Sequence, residues 1–84
     1  GHVVVSVVTT GQNNDVVSAL REAGYAVTVM NVNKSEFSDE KYMLLSDVDK
    51  SKLRAFQRLV EERDPGAFIL VQETKNVING YTRK

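Results

Sequence analysis

The fold is decided by the first apolar stretch of the chain, Val3-Val4-Val5-Ser6-Val7-Val8-Thr9. This stretch is short, β-branched and apolar at both odd and even positions, which is typical of a strand buried in the middle of a sheet. Thr10-Gly11 ends the strand, and Asn13 or Asn14 can cap the helix that follows. The sequence therefore predicts a central strand that leads directly into a helix.

Two helices are predicted from apolar residues that recur every three or four positions. The first begins at Asp15 and ends before Gly24, a residue suited to the left-handed conformation that follows many helices. The second is capped by Asp49 or Ser51 and is ended by residues 64–66, Asp-Pro-Gly, because the residue before proline avoids the helical conformation. Its apolar positions are Leu53, Phe56, Leu59 and Val60.

Three further strands are predicted at residues 25–32, 41–48 and 67–72. The element order is then β-α-β-β-α-β. Right-handed crossovers turn this order into a four-stranded antiparallel sheet of strand order 4-1-3-2 with two helices on one face, the ferredoxin-like α+β sandwich. We expect one domain at residues 3–84. Gly1-His2 is typical of the remnant of a cleaved tag, and a strand that starts at once favours a domain cut from a longer protein.

The composition excludes several classes of protein. A chain of 84 residues with 42% hydrophobic residues suits one small folded domain. The absence of cysteine excludes disulfides, thiolate metal sites and cysteine nucleophiles. Eleven basic residues balance eleven acidic ones, so the formal net charge is +0 and offers little general attraction for nucleic acid or anionic lipid.

No set of residues predicts catalysis or a cofactor. His2 is the single histidine, so a hydrolytic triad has no suitable base. An acidic cluster surrounds the second loop and comprises Glu36, Asp39, Glu40 and Asp47. Its spacing matches no calcium-binding loop, and a solvated surface is the simpler interpretation. We therefore expect no enzyme, no metal site, no cofactor and no nucleic-acid partner.

The predicted strands are apolar on both faces, although two helices can cover only one. The first strand places Val3, Val5 and Val7 on one side and Val4 and Val8 on the other. An uncovered second face would expose a larger apolar patch than monomers usually show. We expect this face to be buried by self-association as a dimer or trimer, or against a missing part of the chain. The alternative is that Val77, Ile78 and Tyr81 of the tail fold back over it.

Three short motifs resemble those of a bacterial family. Asp64-Pro65-Gly66-Ala67-Phe68 resembles its D-P-x-A-F signature, residues 23–29 resemble its G-x-G-V-T segment, and residues 77–81 resemble its closing V-x-x-G-[YF] motif. This family is a small domain of unknown function at the C-terminal end of YitT-type integral membrane proteins and of related short membrane proteins. Residues 31–38 depart from the pattern because they lack the glycine-rich stretch of many members, which places the chain nearer the short-protein branch.

The resemblance implies a ferredoxin-like domain close to the PII signalling proteins, which assemble as trimers and bind small effectors in clefts between subunits. It also implies a position at the cytoplasmic face of the cell membrane, as part of a longer protein. We therefore expect a non-catalytic regulatory domain that senses a small anionic ligand or nucleotide. The expected ligand residues are Thr28, Asn31, Asn33 and Lys34, with Gly80 and Tyr81 closing the cleft from a neighbouring subunit. The alternative is an assembly module that binds no ligand.

Overall fold

The computed structural model of the chain describes residues 1–10, 15–31 and 42–73. Its single sheet has the order β2-β3-β1-β4, and every neighbouring pair of strands is antiparallel. The strands are β1 (His2–Val8), β2 (Val27–Asn31), β3 (Tyr42–Asp49) and β4 (Phe68–Glu73), and the helices are α1 (Asp15–Glu22) and α2 (Leu53–Arg63). The predicted ferredoxin-like arrangement and its strand order are confirmed.

Strand β1 lies in the centre of the sheet, as its two-sided apolar pattern predicts. It pairs with β3 along one edge and with β4 along the other, so that Val5 lies opposite both Ser46 and Val71. Its odd-numbered valines are buried beneath the helices, whereas Val4 and Val8 on the other face are half-buried. The sheet therefore has a helix-covered face and an open face.

Helix α1 ends in a Schellman motif, which corrects the predicted start of β2. The Gly24 N–H donates to the Arg21 carbonyl at 3.0 Å, and the Tyr25 N–H donates to the Leu20 carbonyl at 3.0 Å. Gly24 has φ 100°, a conformation that glycine adopts without steric cost. Because Tyr25 completes this motif, its backbone cannot join the sheet, and β2 begins at Val27 instead of residue 25.

Helix α2 is preceded by one turn of 3₁₀ helix at Lys50–Lys52. The Asp49 carboxylate caps that turn by accepting hydrogen bonds from the backbone N–H and the hydroxyl of Ser51, both at 2.9 Å. Of the two predicted caps, Asp49 and Ser51, the structure thus has Asp49. Phe56 of α2 is fully buried and meets the Tyr25 ring edge-on, with 5.0 Å between centroids and 88° between the planes.

The hydrophobic core lies between the two helices and the helix-covered face of the sheet. Its buried members are Val3, Val5, Val7, Val16, Leu20, Val27, Leu44, Val48, Phe56 and Val60. The buried Ser46 hydroxyl is satisfied because it donates to the Ala26 carbonyl at 2.7 Å. Within the described ranges, neither helix has the length and apolar character required to cross a membrane.

Candidate functional site

The open face of the sheet carries two rows of side chains that run across the strands, and we call them the apolar rows because six of their eight residues are apolar. The first row, nearest the end of β1, comprises Met30, Met43, Val8 and Phe68. The second row comprises Thr28, Leu45, Ser6 and Leu70. Paired residues of an antiparallel sheet point to the same face, so these side chains form a continuous surface.

Several side chains of the apolar rows are open to solvent. Phe68 is 62% exposed, Leu70 is 45% exposed and Met30 is 36% exposed. Burial of side chains of this size against a partner would lower the free energy of the domain, because their apolar surface would leave water. The two-sided sheet predicted from the sequence is thus present, and its burial by association stays a prediction.

The opposite end of the open face is polar. Asp47 pairs with Val4, one row beyond Leu45, and Asp49 pairs with His2 at the start of β1. The His2 Nδ1 atom lies 3.2 Å from Asp47 Oδ1. The open face therefore changes from apolar to acidic along the direction of the strands, and only the apolar half is suited to dry packing.

Hydrogen bonds from Ser51 control the charge of Asp49 at this polar end. The backbone N–H and the hydroxyl of Ser51 both bond to the carboxylate and hold the pKa of Asp49 below its ordinary value of 3.8, and the charge of His2 adds a smaller effect in the same direction. At the end of β4, the Glu73 carboxylate accepts a hydrogen bond from the Lys50 ammonium at 2.9 Å, and this contact lowers the pKa of Glu73.

Strand β4 is exposed on the helix-covered face as well. Val71 points to the same face as the buried Val5, with which it pairs, yet Val71 is 37% exposed. Its neighbour Ile69 on that face is half-buried. The helices therefore leave the outer part of β4 uncovered, and the strand is open to solvent on both faces.

The Asp64 side chain ties the end of α2 to the end of β1. It is 4% exposed and accepts bonds from the backbone N–H and the hydroxyl of Thr10, both at 2.9 Å. Next to it, Arg63 Nε lies 3.2 Å from Asp15 Oδ2. Arg63 at the end of α2 and Asp64 just after it thus anchor the chain on both sides of residues 11–14.

This tie gives the D-P-x-A-F signature a structural role. Gly66 packs close to Thr10, because a Cβ atom at Gly66 would lie 3.0 Å from the Thr10 methyl carbon. In the sequence, residues 64–66 indicate a helix end and form part of the family motif, but nothing there identifies the partner of Asp64. The partner is 54 residues away along the chain, and no local pattern links the two positions.

A shallow concave site of about 240 Å³ lies where α1 leads into β2. It is lined by residues 23–26 and 47–49 together with Lys52. Its carboxylates are those of Asp47 and Asp49 at the polar end of the open face. Such a lining does not suit the anionic ligand expected from the sequence, because like charges repel each other.

The expected ligand residues lie mostly outside the described part of the chain. Asn33, Lys34, Gly80 and Tyr81 all fall within undescribed residues. Thr28 is exposed on the open face, where it pairs with Leu45, and Asn31 is the last residue of β2. The concave site lies at the other end of β2 and includes neither of them, so the ligand site stays a prediction.

The described residues bring together few groups that could perform chemistry. Across residues 1–10, 15–31 and 42–73, no three acidic or histidine side chains are arranged to hold a metal ion. The pKa shifts of Asp49 and Glu73 are both accounted for by the Ser51 and Lys50 contacts. The feature that stands out is therefore the exposed apolar surface and not a polar cleft.

Comparison with curated proteins shows similarity to bacterial UPF0316 proteins. The chain is 31% identical over 81 residues to a UPF0316 protein of Lysinibacillus sphaericus, with 96% of this chain and 46% of the relative covered. It is 30% identical over 81 residues to a UPF0316 protein of Listeria innocua, with 96% of this chain and 45% of the relative covered. The chain thus spans about half the length of the curated relatives it matches.

Solved structures support the fold. A functionally unknown protein from Pediococcus pentosaceus superposes with a TM-score of 0.72 at 9% identity, covering 90% of this chain and 93% of that one. A DUF2179 protein from Eubacterium ventriosum superposes with a TM-score of 0.66 at 22% identity, covering 86% of this chain and 99% of that one. The membrane-protein context implied by the resemblance is not tested by these similarities and stays a prediction.

The family model described as an uncharacterized protein conserved in bacteria, DUF2179, matches residues 25–79. This match includes the whole Asp64–Phe68 signature and most of the sheet. It covers well over half of the chain. The chain belongs to the DUF2179 family.

Proposed function

We propose that this chain is a non-catalytic assembly domain, which joins copies of a longer protein by packing their open sheet faces together. The observation that carries the proposal is the pair of apolar rows, with Phe68, Leu70 and Met30 exposed beside half-buried neighbours. The surplus of valine on β1 has the same explanation, because a strand with one wet face would alternate apolar and polar residues.

A second copy of this chain is the occupant that the shape of the face favours. Sheets pack face to face about 10 Å apart, and the natural complement of a four-stranded sheet is another sheet of the same width. Four strands and seven residues give a footprint of about 19 by 23 Å for each copy. Two such footprints amount to roughly 900 Å², which is below the roughly 1,200 Å² at the lower end for specific, stable complexes and is in the range of weak, transient contacts.

The free energy available from this face suits a weak association. Complete burial of a large apolar side chain is worth about 1.5–3 kcal/mol, so the exposed parts of Phe68, Leu70 and Met30 offer about 1 kcal/mol each. Six such side chains from two copies offer about 6 kcal/mol, which is near the lower estimate for the cost of association, about 4 kcal/mol. Attachment to a longer protein would raise the effective concentration and strengthen the contact.

The longer protein is part of the proposal. The UPF0316 relatives are about twice as long as the stretch they share with this chain. We propose that the domain lies at the cytoplasmic face of a membrane and holds membrane subunits together from that side, as the resemblance implies.

The experiment compares the sedimentation of the protein with that of Leu70→Glu, which places a charge in the apolar rows. The matched control is Ser18→Glu, because Ser18 is exposed on α1 and receives the same charge. We expect the weight-average mass of the protein and of the control to rise toward that of a dimer as the concentration is raised into the millimolar range, and Leu70→Glu to remain monomeric. A monomeric native protein, or an unchanged assembly of Leu70→Glu, would contradict the proposal.

Ligand sensing is the second candidate function. It is supported by the position of Thr28, whose exposed side chain lies on the edge strand β2 where a small molecule can reach it. A screen of nucleotides and cyclic dinucleotides by thermal shift tests this role. A ligand at 100 times its Kd would stabilise the domain by about 2.7 kcal/mol. The rise in Tm should shrink in Thr28→Val, and a screen in which no compound raises the Tm would contradict sensing.

A further inference from the structure

Strand β4 carries the two most exposed large apolar side chains of the described residues, Phe68 and Leu70. Phe68 and Leu70 are exposed on the open face, and Val71 is exposed on the helix-covered face. The strand pairs with β1 along one edge only, and within the described ranges no residue bonds to the backbone of its other edge. Edge strands of monomers are usually protected by lysine, proline or a bulge. Strand β4 has the sequence Phe-Ile-Leu-Val-Gln-Glu, which contains no lysine or proline, and its pairing with β1 runs without a bulge.

The other edge strand, β2, is protected at one point. The Arg21 guanidinium, from α1, donates to the carbonyl of Val27 at 2.9 Å, so a positively charged side chain occupies the start of that strand. Strand β2 also exposes Val29 and Met30, but less than β4 exposes Phe68 and Leu70, and the Arg21 contact occupies part of its edge. We therefore take β4 as the edge that is better suited for pairing.

We propose that β4 pairs with β4 of a second copy, antiparallel and about a two-fold axis, so that two four-stranded sheets become one. A second copy fits because β4 has a single charged residue, Glu73, at its end. Antiparallel pairing places the two Glu73 side chains at opposite ends of the joint, and the apolar residues meet in the middle. This contact is separate from the open-face contact, because it joins backbone edges and leaves both faces of the sheet free.

A two-fold axis perpendicular to the sheet keeps equivalent faces on the same side, so one residue of β4 must lie opposite its own copy, with the axis midway between the two. The two registers that pair five of the six residues of β4 are those centred on Leu70 and on Val71. In the register centred on Leu70, Ile69 lies opposite Val71 of the second copy. In the register centred on Val71, Val71 lies opposite Val71 of the second copy. Residues directly opposite each other have Cα atoms about 4.5–5.5 Å apart, a separation that a disulfide can bridge.

Cysteine cross-linking tests this pairing. Because the chain contains no cysteine, every disulfide must join cysteines that were introduced. The test uses Val71→Cys alone and an equimolar mixture of Ile69→Cys with Val71→Cys, each oxidised with glutathione disulfide. Ser18→Cys on α1 is the control for random collision. Ile69 and Val71 point away from the open face, so open-face packing cannot bring them together.

We expect disulfide-linked dimers to form at least tenfold faster than in Ser18→Cys, either in Val71→Cys alone or between the two variants of the mixture. The native protein should also show hydrogen exchange that slows at alternate amides of β4, but not at those of β2, as its concentration is raised. Cross-linking no faster than in the control, or exchange in β4 that is independent of concentration, would overturn the proposal. The latter result would mean that β4 is covered by its own chain or left unpaired.

Discussion

Removal of the Asp64 carboxylate is the sharpest test of how this fold is held together. Asp64→Ala deletes the acceptor of two hydrogen bonds, from the Thr10 N–H and the Thr10 hydroxyl, and leaves both donors partly buried. The other contacts of residue 64 belong to its backbone and survive, because its N–H donates to Val60 and its carbonyl accepts from Ala67. The substitution therefore isolates the side chain.

The expected cost follows from the two bonds. A hydrogen bond to a charged group contributes about 1.5–3 kcal/mol, and the two bonds share one acceptor, so we expect Asp64→Ala to lose about 3 kcal/mol of unfolding free energy. For a domain of this size, that loss lowers the Tm by roughly 12–24 °C. Thr10→Val keeps the shape and the backbone bond of Thr10 and should lose about 1.5 kcal/mol.

Urea unfolding of Asp64→Ala, Thr10→Val and the double variant measures both the cost and its origin. If the tie is real, Thr10→Val costs much less in the Asp64→Ala background than in the native protein, because its partner is already gone. A loss below about 1 kcal/mol for Asp64→Ala, or equal costs of Thr10→Val in both backgrounds, would refute the assignment.

Three further substitutions test the same structure. Gly66→Ala would place a methyl group 3.0 Å from a Thr10 carbon that the tie holds in place, so we expect a loss of about 1–3 kcal/mol in urea unfolding, and no measurable loss would contradict the close packing. Phe56→Ala empties the centre of the core and should cost about 3–5 kcal/mol, whereas exposed Arg58→Ala should cost little by the same measurement. Because the pKa of Asp49 is lowered in the folded state, its contribution to stability is present above the ordinary value of 3.8 and is lost as the pH falls through the lowered pKa. Asp49→Asn should therefore flatten the acid limb of a plot of unfolding free energy against pH, and an unchanged limb would assign that limb to other carboxylates.

Much of the fold could be predicted because the signals are local. The valine stretch of β1, the Gly24 terminator and the Asp49 cap each act within a few residues, and each appears where the pattern placed it. The start of β2 was predicted two residues early, because apolar Tyr25 resembles a strand residue in sequence while its backbone completes the end of α1. Periodicity alone cannot separate these two uses of an aromatic residue.

The surface features were predictable only in part. An apolar second face can be predicted because apolar residues occupy both the odd and the even positions of β1 and β3, and the structure has such a face. The exposure of Val71 could not be predicted in this way. Its odd position places it on the helix-covered face, and it is exposed only because the helices do not reach that part of β4. The Thr10–Asp64 tie joins residues 54 positions apart, and such contacts need three-dimensional information.

The central position of β1 has a consequence for how the chain folds. Strand β1 is synthesised before the other three strands of the sheet but must wait for both of its neighbours, since Val3 pairs with Val48 on one side and with Glu73 on the other. Contacts this distant along the chain favour folding in milliseconds to seconds rather than microseconds. A ribosome that adds about 5–20 residues per second needs several seconds to pass from β1 to β4. Throughout that time the valine strand has at least one unpaired edge, so nascent chains that stop before Phe68 are expected to aggregate or to occupy chaperones.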